Sequence, residues 1–264
     1  KKALSRLVET LLGAPRAGAA FAPVVVTEKP RTVGDAGYTL LLNALYGPEA
    51  AASAYKNRGE LPFIMGQFMV FTRQAIDAIG GLESAEGQLV DDMYLGMRIK
   101  AAGLRNMVSP HPVPIIQYGV SLREFWSTYV RWLTFSRSGL PGWEFKASAY
   151  LRGVVFWLGL IAGVFSLTQG WFLAAALNGL ANFGIVFSNN ILHRAIGGAR
   201  LPLRHRWVTF GLLLLSPLVL LSILLKRQVT WRGRSYQLNG KSQLATGDAL
   251  PADHVGQERR KKAA

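Results

Sequence analysis

Three apolar segments in the second half of the chain constrain its fold more than any other feature of the sequence. They cover residues 151–167, 171–192 and 208–225. Each approaches the ~17–25 apolar residues with which a helix crosses a bilayer. The first two are separated only by Thr168-Gln169-Gly170, which predicts a tight helical hairpin, and Pro217 predicts a kink in the third. We therefore expect about three C-terminal membrane helices.

The distribution of charge separates two classes of partner. The chain carries a net charge of +15, but its basic residues flank apolar segments and form no single stripe. This pattern favours an anionic membrane surface or a phosphate-bearing substrate, and we expect no nucleic-acid partner. Basic residues crowd the region before residue 151, the loop 193–206 and the stretch 226–234. Three full spans cannot place all of these on one side, so either one segment is re-entrant or the tail lies outside.

The remaining boundaries follow from changes in composition. Residues 121–147 alternate aromatic and basic side chains, which predicts an amphipathic helix region in the membrane interface. The membrane helices are then assigned to residues 148–226. Residues 227–264 form a basic tail that we predict to be partly disordered, chiefly after Asn239.

Residues 1–120 alternate predicted helices and strands. The helices are predicted over residues 4–12, over 35–54 with a break near Gly47-Pro48, and over 72–79; the strands are predicted over residues 21–27 and 63–71, at Val108 and over 113–117. Such alternation predicts an α/β layer. The sequence contains no cysteine, which excludes disulfides, thiolate catalysis and cysteine-type zinc sites.

The pair Asp91-Asp92 is the strongest candidate for chemistry. It opens a predicted short helix that ends at Gly103, and carboxylates are favourable at a helix N-terminus. Neighbouring residues on a helix do not face the same way. One aspartate is therefore expected to brace the helix while the other points into a cleft, where it could accept a proton from a hydroxyl. The alternative is a helix cap beside a surface carboxylate.

Two further sites have both a functional and a structural interpretation. Arg131 and Trp132 could neutralise a departing diphosphate and stack on a sugar or base, or they could anchor the chain in the interface. Gly66-Gln67 interrupts an apolar run, either as a strand irregularity or because the backbone approaches a ligand there. The histidines lack metal-ligand spacing, so we assign no metal site within the chain.

Several ordered motifs together resemble one family. They are Gly66-Gln67-Phe-Met-Val-Phe-Thr-Arg73, Ile79-Gly80-Gly81, Leu89-Val90-Asp91-Asp92, Tyr129-Val130-Arg131-Trp132 and Trp231-Arg232-Gly233-Arg234-Ser-Tyr236. In this order, with three apolar segments before the last motif, they resemble the ceramide glucosyltransferases and related bacterial lipid glycosyltransferases, including those that act on hopanoids.

The resemblance implies a GT-A catalytic domain that inverts the anomeric carbon of a nucleotide sugar, typically UDP-glucose. It implies that Asp92 is the catalytic base and Asp91 its acidic neighbour. Arg131 and Trp132 match the end of a Gln/Arg-x-x-Arg-Trp motif that contacts substrate, but Thr128 stands where Gln or Arg is expected. Gly66 and Gln67 complete the implied substrate-binding residues.

Members of the family also carry a nucleotide-binding half with an Asp-x-Asp motif that holds a divalent metal, Mg or Mn. That motif is absent here. We therefore expect residues 1–120 to be the C-terminal half of the GT-A domain, the chain to be a fragment, and the fragment to be inactive alone. The resemblance further implies an integral membrane protein of the bacterial inner membrane with its catalytic part on the cytoplasmic side.

The sequence thus predicts transfer of a hexose, glucose in the typical case, from a nucleotide sugar to the hydroxyl of a membrane lipid such as ceramide. Two alternatives remain open at this stage. A processive polysaccharide synthase has a related Arg-Trp motif, although Thr128 and the small number of apolar segments argue against it. A non-catalytic, membrane-anchored binding module becomes the better hypothesis if the chain natively starts at Lys1.

Overall fold

The computed structural model describes the backbone of residues 2–139 and 143–225 and three short strands beyond them. Side chains are described for residues 2–136, 150–223 and 225. Within these limits the protein is a mixed α/β structure in which helices predominate.

The N-terminal part contains two small sheets covered by helices. The helices are α1 (Lys2–Leu12), α2 (Val33–Leu40), α3 (Gly47–Lys56), α4 (Arg73–Ala78) and α5 (Asp91–Ala101). The strands are β1 (Ala17–Phe21), β2 (Val24–Val26), β3 (Glu60–Leu61), β4 (Met69–Phe71), β5 (Arg105–Val108) and β6 (Val113–Ile115). The larger sheet has the order β3-β5-β1-β4, in which only β1 and β5 pair in parallel, and β2 pairs with β6 in parallel.

The strand predicted over residues 21–27 is wrong in extent. The chain forms two strands that belong to different sheets, and they are separated at Pro23, which has no N–H to offer a ladder. The first strand was missed because Ala17–Phe21 consists mostly of small residues with weak strand propensity. They are needed there, since a Cβ at Gly18 would lie 2.9 Å from both Ile99 and Leu104.

Two other predictions of the N-terminal part are also corrected. Of the strand predicted over residues 63–71, only β4 is extended, and residues 63–68 form a loop whose apolar Phe63 and Ile64 are buried in the core. The helix predicted over residues 35–54 does not break at Gly47-Pro48. It continues through a π-helical segment (Leu41–Tyr46) into α3. Pro48 in the first turn of α3 has no N–H to donate, and the carbonyl of Ala44, four residues earlier, accepts from Arg152 instead.

The second half consists of long helices. They are α6 (Leu122–Gly139), α7 (Trp143–Thr168), α8 (Phe172–Ala195), α9 (Val208–Leu214) and α10 (Ser216–Leu225). Two stretches, Tyr150–Thr168 and Phe172–Ala195, are long and apolar enough to cross a membrane, which confirms the first two predicted segments and their hairpin. Large apolar side chains on them face outward, including Leu173 at 75% exposure.

The third apolar segment is divided between α9 and α10, whose axes differ by 48°. Pro217 causes the division, because it has no N–H to donate to the carbonyl of Leu213. The hydroxyl of Ser216 donates to that carbonyl instead, at 2.7 Å. The predicted kink at Pro217 is confirmed. Among the described residues there are two possible spans, or three if α9 and α10 together make one.

After α10 the chain forms the hairpin strands β7 (Gln228–Trp231) and β8 (Arg234–Leu238), and β9 (Leu244–Ala245) pairs with β8. Apart from β9, the disorder predicted after Asn239 concerns residues outside the described part of the chain.

A buried carboxylate joins α2 to the start of α6. Asp35 accepts backbone N–H bonds from Arg31 at 3.0 Å, Thr32 at 3.1 Å and Val120 at 2.7 Å. Burial alone raises the pKa of Asp35, but these bonds, with one from Gly119, together lower it below 3.8. The Thr32 hydroxyl donates to the Val120 carbonyl at 2.6 Å. This network fixes the position of α6, which carries one wall of the cleft described next.

Candidate functional site

A cleft of about 570 Å³ lies between the N-terminal part and α6. One wall is formed by the loop before β4 and by the start of α5, and the other by α6 and the π-helical segment. The lining residues are Leu42, Tyr46, Met65, Gly66, Gln67, Met69, Gln88, Leu89, Val90, Asp91, Asp92, Met93, Trp132, Phe135 and Ser136. Five of the six candidate residues of the sequence analysis are among them.

The two aspartates have different surroundings at the N-terminus of α5. Asp91 is exposed, and its Oδ1 accepts the backbone N–H of Asp92 at 2.9 Å. Asp92 is less exposed; its Oδ1 accepts the N–H of Met93 at 2.8 Å and its Oδ2 accepts the N–H of Gly66. Asp91 thus stabilises the first turn of α5, while Asp92 links α5 to the loop that contains Gly66.

The pKa of the Asp92 carboxyl lies above its ordinary value of 3.8. Burial is the largest cause, since it penalises the charged form, and the negative charge of Asp91 acts in the same direction. The N–H bonds from Met93 and Gly66 oppose the shift without cancelling it. A carboxylate of raised pKa accepts a proton more readily than an ordinary aspartate, as general base chemistry requires.

Gly66 allows this contact because it has no side chain. A Cβ at position 66 would lie 2.9 Å from Asp92 Oδ2 and 3.1 Å from its Cγ. The loop is held against α5 by a second close approach, where a Cβ at Gly96 would lie 2.5 Å from the backbone nitrogen of Ile64. The group that approaches the Gly66 backbone closely is thus the Asp92 carboxylate, and contact of Gly66 with a ligand stays a prediction. Gln67 lines the cleft beside it and is exposed.

Arg131 and Trp132 occupy different positions relative to the cleft. Trp132 lines it, and its ring centroid lies 5.5 Å from that of Tyr38 and 5.4 Å from that of Tyr46. Arg131 is the one candidate outside the described lining. Burial raises the pKa of Tyr38 and the positive charge of Arg131 lowers it in part, so the guanidinium lies near α2.

The sequence analysis missed three polar residues of the cleft, Tyr46, Gln88 and Ser136. Ser136 follows Trp132 by four residues, so helical periodicity was a usable signal for it. Tyr46 had no such signal, because it reaches the cleft through the packing of the π-helical segment on α6. Burial raises the pKa of the Tyr46 phenol, which keeps it a neutral hydrogen-bonding group.

The cleft contains two carboxylates and no histidine among its lining residues. Across the part of the chain that the structure describes, no group of three or more His, Asp or Glu side chains is placed to hold a metal ion. These residues thus offer no set of ligands for the divalent metal that the resemblance implies.

A second cavity, of about 270 Å³, lies between α6 and the helices α7, α9 and α10. Its walls come from the π-helical segment, α6, α7, α9 and α10, and include Leu133, Trp157, Leu213 and Leu220. The walls are almost wholly apolar, with Arg152 at the rim. Arg152 donates to the Ala44 carbonyl at 2.6 Å and to Asn189 Oδ1 at 3.2 Å. Arg152 also lies 3.9 Å from a carboxylate oxygen of Glu49, so this second cavity offers hydrocarbon surroundings beside an ion pair.

The chain is similar in sequence to known proteins. Residues 1–244 match the family described as Glycosyl transferase family 21. A stretch of 119 residues is 23% identical to ceramide glucosyltransferase 3 of Caenorhabditis elegans; it covers 44% of this chain and 26% of that protein. The match thus spans about a quarter of the length of the curated relative.

Proposed function

From the premise that this chain belongs to glycosyl transferase family 21, we propose that the native protein transfers a hexose, most simply glucose, from a nucleotide sugar to the hydroxyl of a membrane lipid such as ceramide. Its fold of the GT-A type would be shared with a nucleotide-binding half that precedes these residues in the family. One observation carries the proposal: a carboxylate of raised pKa, Asp92, lines a cleft that shares α6 and the π-helical segment with an apolar cavity walled by α7, α9 and α10.

In the proposed reaction Asp92 takes the proton of the acceptor hydroxyl. The acceptor oxygen attacks the anomeric carbon while the bond from that carbon to the diphosphate oxygen breaks, and the nucleoside diphosphate leaves with the electron pair. A single displacement of this kind inverts the anomeric configuration. The role of Asp91 is to hold the first turn of α5, so that the neighbouring carboxylate keeps its orientation toward the cleft.

The second cavity supports a lipid acceptor. It shares α6 and the π-helical segment with the cleft: Tyr129 and Leu133 line the cavity, while Trp132 and Ser136 line the cleft. A hydrocarbon chain in the cavity loses no favourable contacts relative to the bilayer, because the walls are equally apolar. The acceptor could then present its hydroxyl near the interface without leaving the membrane.

The donor site is assigned by family resemblance and remains part of the proposal. Trp132 and Gln67 would contact the sugar or the base, and Arg131 would act on the diphosphate only if it turns toward the cleft. A divalent metal would be bound by the family's Asp-x-Asp motif and would neutralise diphosphate charge when present. The catalytic part would lie on the cytoplasmic side of a bacterial inner membrane, where nucleotide sugars are made.

The proposal is tested by incubating the native protein, in vesicles that contain ceramide, with radiolabelled UDP-glucose. We expect label in the organic phase as a single glycolipid of inverted configuration. Label that enters a high-molecular-weight polymer would favour a polysaccharide synthase. Donor binding without any transfer, to ceramide, diacylglycerol or a hopanoid, would favour a binding module.

A further inference from the structure

The third apolar segment is built differently from the two spans. Its limbs α9 and α10 have 7 and 10 residues, so they are ~10 and ~15 Å long. Neither limb approaches the ~30 Å thickness of a hydrocarbon core. The 48° bend between them shortens their combined reach further. To cross the core, the segment would have to be extended by residues before α9 or after α10. The packing shows instead that both ends of the segment lie on the same side.

The segment contacts α7 over a short stretch of that helix, residues 153–157. Phe210 packs edge-on against Phe156 with centroids 5.7 Å apart, and the carbonyl of Leu214 accepts from Trp157 Nε1 at 3.2 Å. Two residues later, Ser216 lies against Gly153, where an added Cβ would be 2.5 Å from the hydroxyl oxygen. A helix that crossed the bilayer beside α7 would meet steadily deeper residues of it. Here Ser216, which follows Leu214 in the chain, contacts Gly153, which lies nearer the start of α7 than Trp157 does.

Residues 153–157 of α7 lie close to the membrane surface. Gly153 and Trp157 follow Arg152, the last charged residue of α7, by one and five positions. At a rise of 1.5 Å per residue they lie ~2–8 Å beyond it along the helix. This is the depth at which interfacial helices bury their apolar side. The far end of α7, where the ring of Phe165 meets Trp171 of the hairpin, is some eight residues further on.

Both ends of the segment pack on elements of the catalytic side. Val208 at its start belongs to a buried cluster with Leu40 and Ala44 of α2 and the π-helical segment. Val219 and Ile223, close to its end, are fully buried against Tyr129 and other residues of α6. The chain therefore enters beneath α2 and leaves beneath α6, and these two helices pack side by side.

We propose that residues 203–225 do not cross the bilayer but form a shallow re-entrant segment that supports α6 from the membrane side. Of the described helices only α7 and α8 then span, and these two spans return the chain to the side of α6. The basic loop 193–206 and the basic stretch 226–234 come to lie on the same side as the catalytic cleft. This arrangement satisfies the positive-inside rule, which three spans would violate.

The segment meets the energetic demands of such a position. From Trp207 onward its exposed side chains are apolar, among them Leu215, Leu218, Leu221 and Leu225, and would face hydrocarbon, whereas the exposed Arg204 and Arg206 at its start would lie at the interface. Its backbone is helical in both limbs, and the carbonyl that Pro217 leaves without a helical partner accepts from Ser216, as a lipid environment requires.

The test uses the absence of cysteine from residues 1–264, and any cysteine elsewhere in the native protein is first replaced by serine. Single cysteines are introduced into the native protein at Gln169→Cys in the hairpin, Arg200→Cys in the basic loop and Ser242→Cys in the tail. Each variant is labelled with a membrane-impermeant maleimide in sealed inside-out and right-side-out bacterial vesicles. We expect Ser242→Cys to label in the same vesicles as Arg200→Cys and not in those that label Gln169→Cys.

Labelling of Ser242→Cys together with Gln169→Cys would overturn the proposal, and so would equal labelling in both kinds of vesicle. If Ser242→Cys reacts only after detergent is added, it is replaced by Gln257→Cys in the same tail, which is scored in the same way. Because the measurement reads sidedness alone, its outcome is independent of whether the protein transfers a sugar.

Discussion

Replacement of Asp92 by asparagine is the perturbation whose effect the site geometry defines best. The amide keeps the shape of the side chain and one oxygen that can accept a backbone N–H, but it cannot accept a proton from the acceptor hydroxyl. A general base contributes about 10²–10⁴-fold to the rate, which corresponds to ~3–5 kcal/mol in activation free energy. We expect kcat to fall by this factor and KM for the donor to change little.

The substitution also affects stability, in two opposing ways. Its NH₂ group cannot accept the N–H of Gly66 or Met93 that the lost oxygen bound, and an unpaired buried donor costs ~1–3 kcal/mol. Removing a buried negative charge offsets part of this, because burial already raises the pKa of Asp92. A thermal melt must therefore accompany the assay, so that loss of activity is not mistaken for loss of folding.

The assay measures labelled glycolipid formed from labelled UDP-glucose, with Asp91→Asn as the matched control. Since Asp91 accepts only the N–H of its neighbour among the described contacts, we expect the control to lose less than tenfold in kcat. The acid limb of the pH–rate profile should lie above the ordinary aspartate pKa of 3.8 in the wild type and disappear in Asp92→Asn. Retention of more than a tenth of wild-type kcat in a folded Asp92→Asn variant would refute the reasoning.

Three further predictions follow from close contacts. Gly66→Ala places a methyl 2.9–3.1 Å from the proposed base and should lower kcat at least tenfold, whereas Gly179→Ala, which meets nothing within 4 Å, should leave it unchanged; equal kinetics would contradict this. Leu220→Trp fills the second cavity and should raise KM for a long-chain acceptor more than for a truncated one, while the lipid-facing Leu180→Trp should not; a chain-length-independent effect would remove the cavity from the acceptor site. Asp35→Asn should destabilise the fold by ~1–3 kcal/mol in chemical unfolding. Because the folded-state pKa of this aspartate is depressed, the difference should persist above pH 3.8 and shrink as the pH falls below it; a pH-independent difference would count against the assignment.

The sequence was informative wherever local rules decide structure. A helix that begins at an acidic pair and ends at Gly103 is a local pattern, and α5 has nearly those bounds. The capping network of Asp35 also had a local signal, since Thr32 precedes it by three residues as in a capping box, but this was overlooked. Apolar length likewise identified α7 and α8.

The sequence was uninformative wherever contacts between distant segments decide. Nothing local indicates that Gly66 donates its N–H to a carboxylate 26 residues away, or that the alanine-rich β1 is the middle of a sheet. The length of an apolar segment also does not show whether the segment crosses the membrane or turns back within it. Residues 208–225 are as hydrophobic as a span, and only their packing on α6 and α7 indicates a shallow path.

The central claim is that the cleft of Asp92 serves sugar transfer to a membrane lipid. The most direct measurement supplies the native protein with UDP-[¹⁴C]glucose and ceramide in vesicles, and determines the anomeric configuration of any extracted glycolipid by NMR. The account predicts a β-linked glycolipid formed from the α-linked donor, and none with Asp92→Asn. An α-linked product, or the same yield from the variant, would contradict it.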